Sequence, residues 1–172
     1  MRISYWEIHM PFSNSRRLKD FGLALLLILF FIPLQTSAQD ALSRGETVYV
    51  PIYSNVYYGP RARAYDLSAI LSIRNTDPTH AITILKADYY NSKGSFLENY
   101  IKKPLELGPL ASTDFYIKEY DERGGSGANF IVKWQADAPV NQPIIEGLML
   151  GMKSGQGISF ICQGKVIEVP GK

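Results

Sequence analysis

Beyond about residue 47 the chain alternates apolar and polar residues in short runs, most of them closed by glycine, proline or asparagine. The clearest run places Phe130, Val132 and Trp134 on one face and Asn129, Ile131, Lys133 and Gln135 on the other. Successive side chains of a strand point to opposite sides, so the first set is predicted to be buried and the second to face water. The run is entered through Gly124-Gly125-Ser126-Gly127, a tight corner in which at least one glycine is expected at positive φ. This strand is expected at the centre of a sheet, with Trp134 its largest buried side chain.

The same period recurs on both sides. Val48, Val50 and Ile52 alternate with Tyr49, Pro51 and Tyr53, and the missing N–H of Pro51 predicts an edge position or a bulge. Residues 54–63, with Asn55, Gly59 and Pro60, read as a loop. Leu67, Ala69, Leu71 and Ile73 form the next inward set, ended by Asn75-Thr76-Asp77-Pro78. Further strands are predicted over 82–90, 96–101, 103–107, 113–118, 144–152, 158–162 and 166–169, and no segment past the leader keeps a helical period. The expectation is an all-β, immunoglobulin-like antiparallel β-sandwich of about eight strands in a single domain over 47–170. Residues 39–46 read as a loose, polar lead-in.

Before that, Arg16, Arg17 and Lys19 precede an apolar run over 21–34, and Thr36-Ser37-Ala38 follows. That is the order of a secretory signal peptide, predicted over 1–38. The run has 14 residues, short of the roughly 20 that a helical span needs. The expectation is an exported protein, periplasmic or secreted, with no membrane span after cleavage; an uncleaved anchor and a start at Met10 are the alternatives. Removing the leader also changes the charge. The whole chain has 18 basic and 16 acidic residues, but the part after Ala38 has 14 of each. A neutral domain has no overall field to gather nucleic acid, which is therefore not an expected partner. Cys162 is the only cysteine, so no disulfide forms within the chain. It alternates with Ile158 and Phe160 and reads as a buried thiol, with an intermolecular disulfide as the alternative.

Five blocks carry a resemblance: Val48-Tyr49-Val50-Pro51, Leu71-Ser72-Ile73-Arg74-Asn75-Thr76-Asp77, Leu107-Gly108-Pro109-Leu110-Ala111-Ser112, residues 124–134, and Gly155-Gln156-Gly157-Ile158-Ser159-Phe160. With these the chain resembles, over about 47–168, a bacterial family of exported proteins classed as a domain of unknown function. The resemblance implies an envelope-associated domain and supplies no reaction, cofactor or catalytic residue. It also implies histidines in the 54–59 loop, where this chain has Asn55 and Tyr58, so no metal role carries over.

The chemistry on offer is sparse. His80 is the only histidine after the leader, and nothing in the sequence sets Cys162 or Ser126 beside it, so no catalytic residue is assigned. One histidine and one cysteine do not make a zinc shell, and no EF-hand-type loop is present; no metal or cofactor is expected. The glycine-rich corner opens a strand rather than a helix and lacks a following Lys-Ser/Thr, which argues against a phosphate loop. Arg123, Ser126 and Asn129 remain there as a secondary polar candidate. Asp88 with Glu98, and Asp114 with Glu119, read as outward strand charges.

The main candidate site is Tyr53, Asn55, Tyr57, Tyr58, Arg61, Arg63 and Tyr65, around Gly59-Pro60. Tyrosine and arginine combine contact area with polar tips and are enriched at recognition sites. Arg61 and Arg63 share one face if their segment is extended, and together they suit an anionic group while tyrosines stack on a sugar or peptide. The competing reading folds this loop over the sandwich edge as a cover. The expected function is an exported binding or interaction domain whose partner is an envelope protein, peptide or glycan. An envelope hydrolase or lyase using Tyr, Arg and Asp, or a subunit of an envelope assembly, is the alternative.

Overall fold

Alternating sequence becomes strand throughout the computed structural model, which describes residues 42–169 other than Ser154. The expected signal peptide lies outside the described residues. Twelve strands follow in order: β1 (Ser43–Ile52), β2 (Asn55–Tyr58), β3 (Arg63–Asp66), β4 (Ser68–Arg74), β5 (Ile82–Tyr90), β6 (Phe96–Asn99), β7 (Leu105–Leu107), β8 (Ser112–Ile117), β9 (Ala128–Val140), β10 (Ile144–Lys153), β11 (Gln156–Gln163) and β12 (Lys165–Glu168). They pair antiparallel. One sheet runs β12-β1-β9-β5-β6, with β7 also on β5; a second runs β11-β10-β4-β8; β2 and β3 form a separate ribbon. The fold is all-β and sandwich-like, with more strands than the eight or so expected.

The core follows from the alternation. Phe130, Val132 and Trp134 are fully buried on β9, which lies between β1 and β5 as a central strand should. Ala69, Leu71 and Ile73 of β4, in the other sheet, and Leu67 just before it belong to the same buried core cluster. Lys133 and Gln135 are exposed, as their face requires. Tyr89 stacks on Phe130 at 4.9 Å between ring centroids, and Tyr100 meets the same ring edge-on at 5.3 Å.

Two expectations need correction, and a third holds in one of its two forms. Residues 43–46 are not a loose lead-in. They begin β1, and Glu46 is buried because Gln142 donates a hydrogen bond to its carboxylate. The Pro51 expectation, an edge or a bulge, holds in its second form: β1 is flanked by β9 and β12 and carries register shifts in both ladders. Pro51 is tolerated because the β12 ladder stops at Tyr49, leaving that flank of β1 without a strand partner, and a register shift lies between Thr47 and Val48. Asp88 is not an outward charge either. It is buried, pairs with Lys86 and accepts a 2.7 Å hydrogen bond from Asn99 Nδ2. A carboxylate taken out of water needs such partners.

The turn after β4 is held by one carboxylate. Asp77 Oδ1 accepts the backbone N–H groups of Thr79 (2.9 Å) and His80 (2.8 Å), and Oδ2 accepts that of Asn141 (3.2 Å). These donors, with Thr79 foremost, hold the Asp77 carboxyl well below the usual carboxylate range. A depressed folded-state pKa adds stability that is present above the unfolded value, about 3.9, and is lost as pH falls through the folded value. The Asp77→Asn variant is therefore expected to be less stable than wild type at neutral pH, with the gap closing in strong acid. Urea unfolding at several pH values checks this; a gap independent of pH contradicts it.

Candidate functional site

The segment read as a loop over 54–63 is mostly the ribbon of β2 and β3. Its register pairs Asn55 with Asp66, Val56 with Tyr65, Tyr57 with Ala64 and Tyr58 with Arg63. Alternation then gives the ribbon two chemically different faces. Asn55, Tyr57, Ala64 and Asp66 share one; Val56, Tyr58, Arg63 and Tyr65 share the other.

The ribbon is fixed at its base. Ser54 N–H donates to the Gly125 carbonyl (3.0 Å), and Leu67 N–H donates to the Ser54 carbonyl (2.9 Å). The Ser54 and Tyr89 hydroxyls are hydrogen-bonded at 3.1 Å in the interior. On the aromatic face, Tyr65 donates to the Gln156 carbonyl (3.0 Å). Its ring also lies where a side chain on Gly151 would be: a Cβ there would come within 2.5 Å of Tyr65 Cε1 and 2.7 Å of Leu67 Cδ2. The absence of a side chain at 151 is what lets the ribbon settle on β10.

The aromatic face borders an open pocket of about 340 Å³, lined by Val56, Tyr57, Tyr58, Tyr65, Gln156, Gly157 and Ile158. Tyr58 and Tyr65 meet edge to face at 5.9 Å. Tyr58 also joins a second pocket of 250 Å³ at the ribbon tip, with Gly59, Pro60, Arg61 and Arg63. Neither arginine has an ion-pair partner among the described residues. The premise that Arg61 and Arg63 lie on one extended segment does not hold. Arg61 is in the turn, where Ala62 N–H donates to the Gly59 carbonyl (3.1 Å) and Ala62 takes φ 46°. The turn brings both arginines to the tip pocket by another route.

Of the seven main candidates, Tyr58, Arg61, Arg63 and Tyr65 gather on the aromatic face and tip. Asn55 faces the other way, and Tyr57 reaches the pockets on both sides. Tyr53 leaves the site: it is half-buried and packs edge-on against Phe160 at 5.6 Å. The secondary candidates separate as well. Arg123 is held by Asp121 (2.7 Å) and Glu98 (3.2 Å), Asn129 pairs within the sheet opposite Pro51 and Tyr90, and Ser126 alone lines a cleft beside the ribbon. Missed by sequence reading were Gln156, Gly157 and Ile158 of β11, which carry no local signal of a site and arrive only through the fold.

His80 has the neighbours of a catalytic group in the wrong arrangement. Its Nδ1 is 2.8 Å from Thr79 Oγ1 and 3.2 Å from Asp77 Oδ1. A relay needs nucleophile and carboxylate on different ring nitrogens; here both use the same one. Cys162 is half-buried on β11 rather than fully buried, and burial pushes its thiol pKa up, away from a reactive thiolate. Among the described residues no group of three or more His, Cys, Asp or Glu is placed to hold a metal ion.

The family model for "Protein of unknown function (DUF3124)" matches residues 45–167, so the chain belongs to that family. No curated protein matches it. Among solved structures it is similar to one titled "Crystal Structure of Thermotoga maritima 1070", at 11% sequence identity and a TM-score of 0.44, over 74% of this chain and 97% of that one.

Proposed function

We propose that this member of the family is an exported binding domain that takes an anionic ligand at the ribbon tip, an acidic sugar being the simplest that fits. One observation carries the reading: two uncompensated arginines and exposed tyrosines line two pockets that meet at Tyr58. Pocket volumes of 340 and 250 Å³ together suit a small ligand. Arg61 and Arg63 supply charge and forked donors for a carboxylate, and the tyrosine rings supply flat contact area with little entropy to lose. The domain's neutrality makes this a local attraction rather than a general affinity for polyanions.

The test is an array of acidic and neutral oligosaccharides and acidic peptides, probed with wild type and a Tyr58→Ala/Arg61→Ala/Arg63→Ala variant. All three side chains are exposed, so the variant is expected to fold as wild type does. Wild type should retain acidic saccharides in a salt-sensitive way and the variant should lose them. Retention by both proteins alike, retention of peptides alone, or no retention by wild type overturns the reading.

A further inference from the structure

The outer face of the smaller sheet is apolar where contact with water favours polar residues. Its ladders set Tyr116 of β8 beside Ile70 of β4, Ile70 beside Leu148 of β10, and Leu148 beside Ile161 of β11. The result is one unbroken row across the whole sheet. Ile117, Leu71 and Met149, one residue further along their strands, are buried, so the row points outward. Tyr116 is 55% exposed and Ile161 57%, and Leu150 and Met152 extend the patch along β10. None of the four row residues belongs to the buried core or to the apolar side chains packed against it. The outer face of the larger sheet instead presents Lys86, Lys133 and Gln135. Charge flanks the row in a particular order. Two residues before Tyr116 is Asp114 and two after it is Lys118, both exposed and neither with an ion-pair partner among the described residues.

We propose that this face binds a second copy of the chain, sheet against sheet, about a two-fold axis lying along the row. Aligned packing of two sheets about 10 Å apart is an ordinary geometry. The axis lays each row on its own counterpart and reverses the strand direction across the interface. Asp114 of each copy then faces Lys118 of the other, so the charges beside Tyr116 complement themselves twice. Glu146, on the Asp114 side of the row, falls opposite Leu150 of the other copy. A hollow of 560 Å³ lies beside Leu150, with Ser68, Gly157 and Ser159 in its walls, and leaves that carboxylate room to stay hydrated. A lipid surface fits less well, because Asp114 and Glu146 flank the row and an anionic leaflet repels them. The face is only four strands wide, so the dimer is expected to be weak and to form as concentration rises.

The test is sedimentation equilibrium of the purified protein over a concentration series. Wild type should show a reversible monomer–dimer equilibrium, and Ile161→Lys, which puts a charge in the row, should remain monomeric. Asp114→Lys and Lys118→Asp should each weaken the dimer about tenfold or more, since each sets like charges together at two symmetric contacts. The double variant Asp114→Lys/Lys118→Asp exchanges the two charges and should recover most of the wild-type association. Lys133→Glu, on the outer face of the larger sheet, should leave it unchanged. All four positions are exposed, so the variants are expected to fold as wild type does. A monomer at every concentration up to about 1 mM would assign the face to a different partner and overturns the proposal. So does a dimer indifferent to Ile161→Lys, or a double variant no stronger than the single ones. The acidic-ligand array reads the β2–β3 ribbon and none of these residues, so either result stands without the other.

Discussion

Trp134→Ala should destabilise the protein by about 3–5 kcal/mol, the range for removing a large aromatic side chain from a packed core. Trp134 is the largest fully buried side chain, on the strand that both halves of the larger sheet pair with. Its neighbour Lys133 points the other way and is exposed, so Lys133→Ala should change stability by less than about 0.5 kcal/mol. The cost at 134 has a counterweight. Trp134 Nε1 is buried without a hydrogen-bond partner, and removing that donor returns part of what the lost packing costs. Urea unfolding of the two variants measures the difference; equal shifts in the midpoint contradict the face assignment.

Gly124→Ala should cost about 2–5 kcal/mol, through overpacking and a disrupted buried hydrogen bond together. A Cβ on Gly124 would collide with the Tyr89 hydroxyl and come within 2.7 Å of both Ala128 Cβ and Ser54 Oγ. The Tyr89–Ser54 hydrogen bond that anchors the ribbon base would be displaced with it. The cause is space rather than backbone conformation, since the positive φ in this corner belongs to Gly125 (74°). Gly108→Ala, where a Cβ meets nothing within 4 Å, is the control and should cost little. Tyr89→Phe removes the colliding oxygen, so the double variant should be more stable than the two single costs predict. Strict additivity would contradict a clash at that atom.

The core was legible because burial imposes a period. Phe130, Val132 and Trp134, and Leu67 to Ile73 at every second position, must be apolar to pack, and that constraint is written in the chain. The ribbon was not legible because little in it is buried. Asn55 to Tyr58 and Arg63 to Asp66 are four residues each, exposed or half-buried, with glycine and proline between them. Their pairing rests on backbone hydrogen bonds and on the missing side chain at Gly151, neither of which leaves a hydrophobic pattern. Asp88 and Glu46 were misplaced for a related reason: partners far along the chain or across a strand make a charge buriable, and alternation alone does not reveal them. The candidate site was half visible. Composition picked out the tyrosines and arginines, whereas the register decided which of them meet, sent Tyr53 to the core surface and brought in β11.

The most direct test of the ribbon as a ligand-binding element is an NMR titration of the ¹⁵N-labelled purified protein with the acidic saccharide best retained on the array. The account predicts saturable shifts confined to residues 56–65 and 156–158, lost in the Tyr58→Ala/Arg61→Ala/Arg63→Ala variant. Shifts centred elsewhere, or unchanged in that variant, would contradict it.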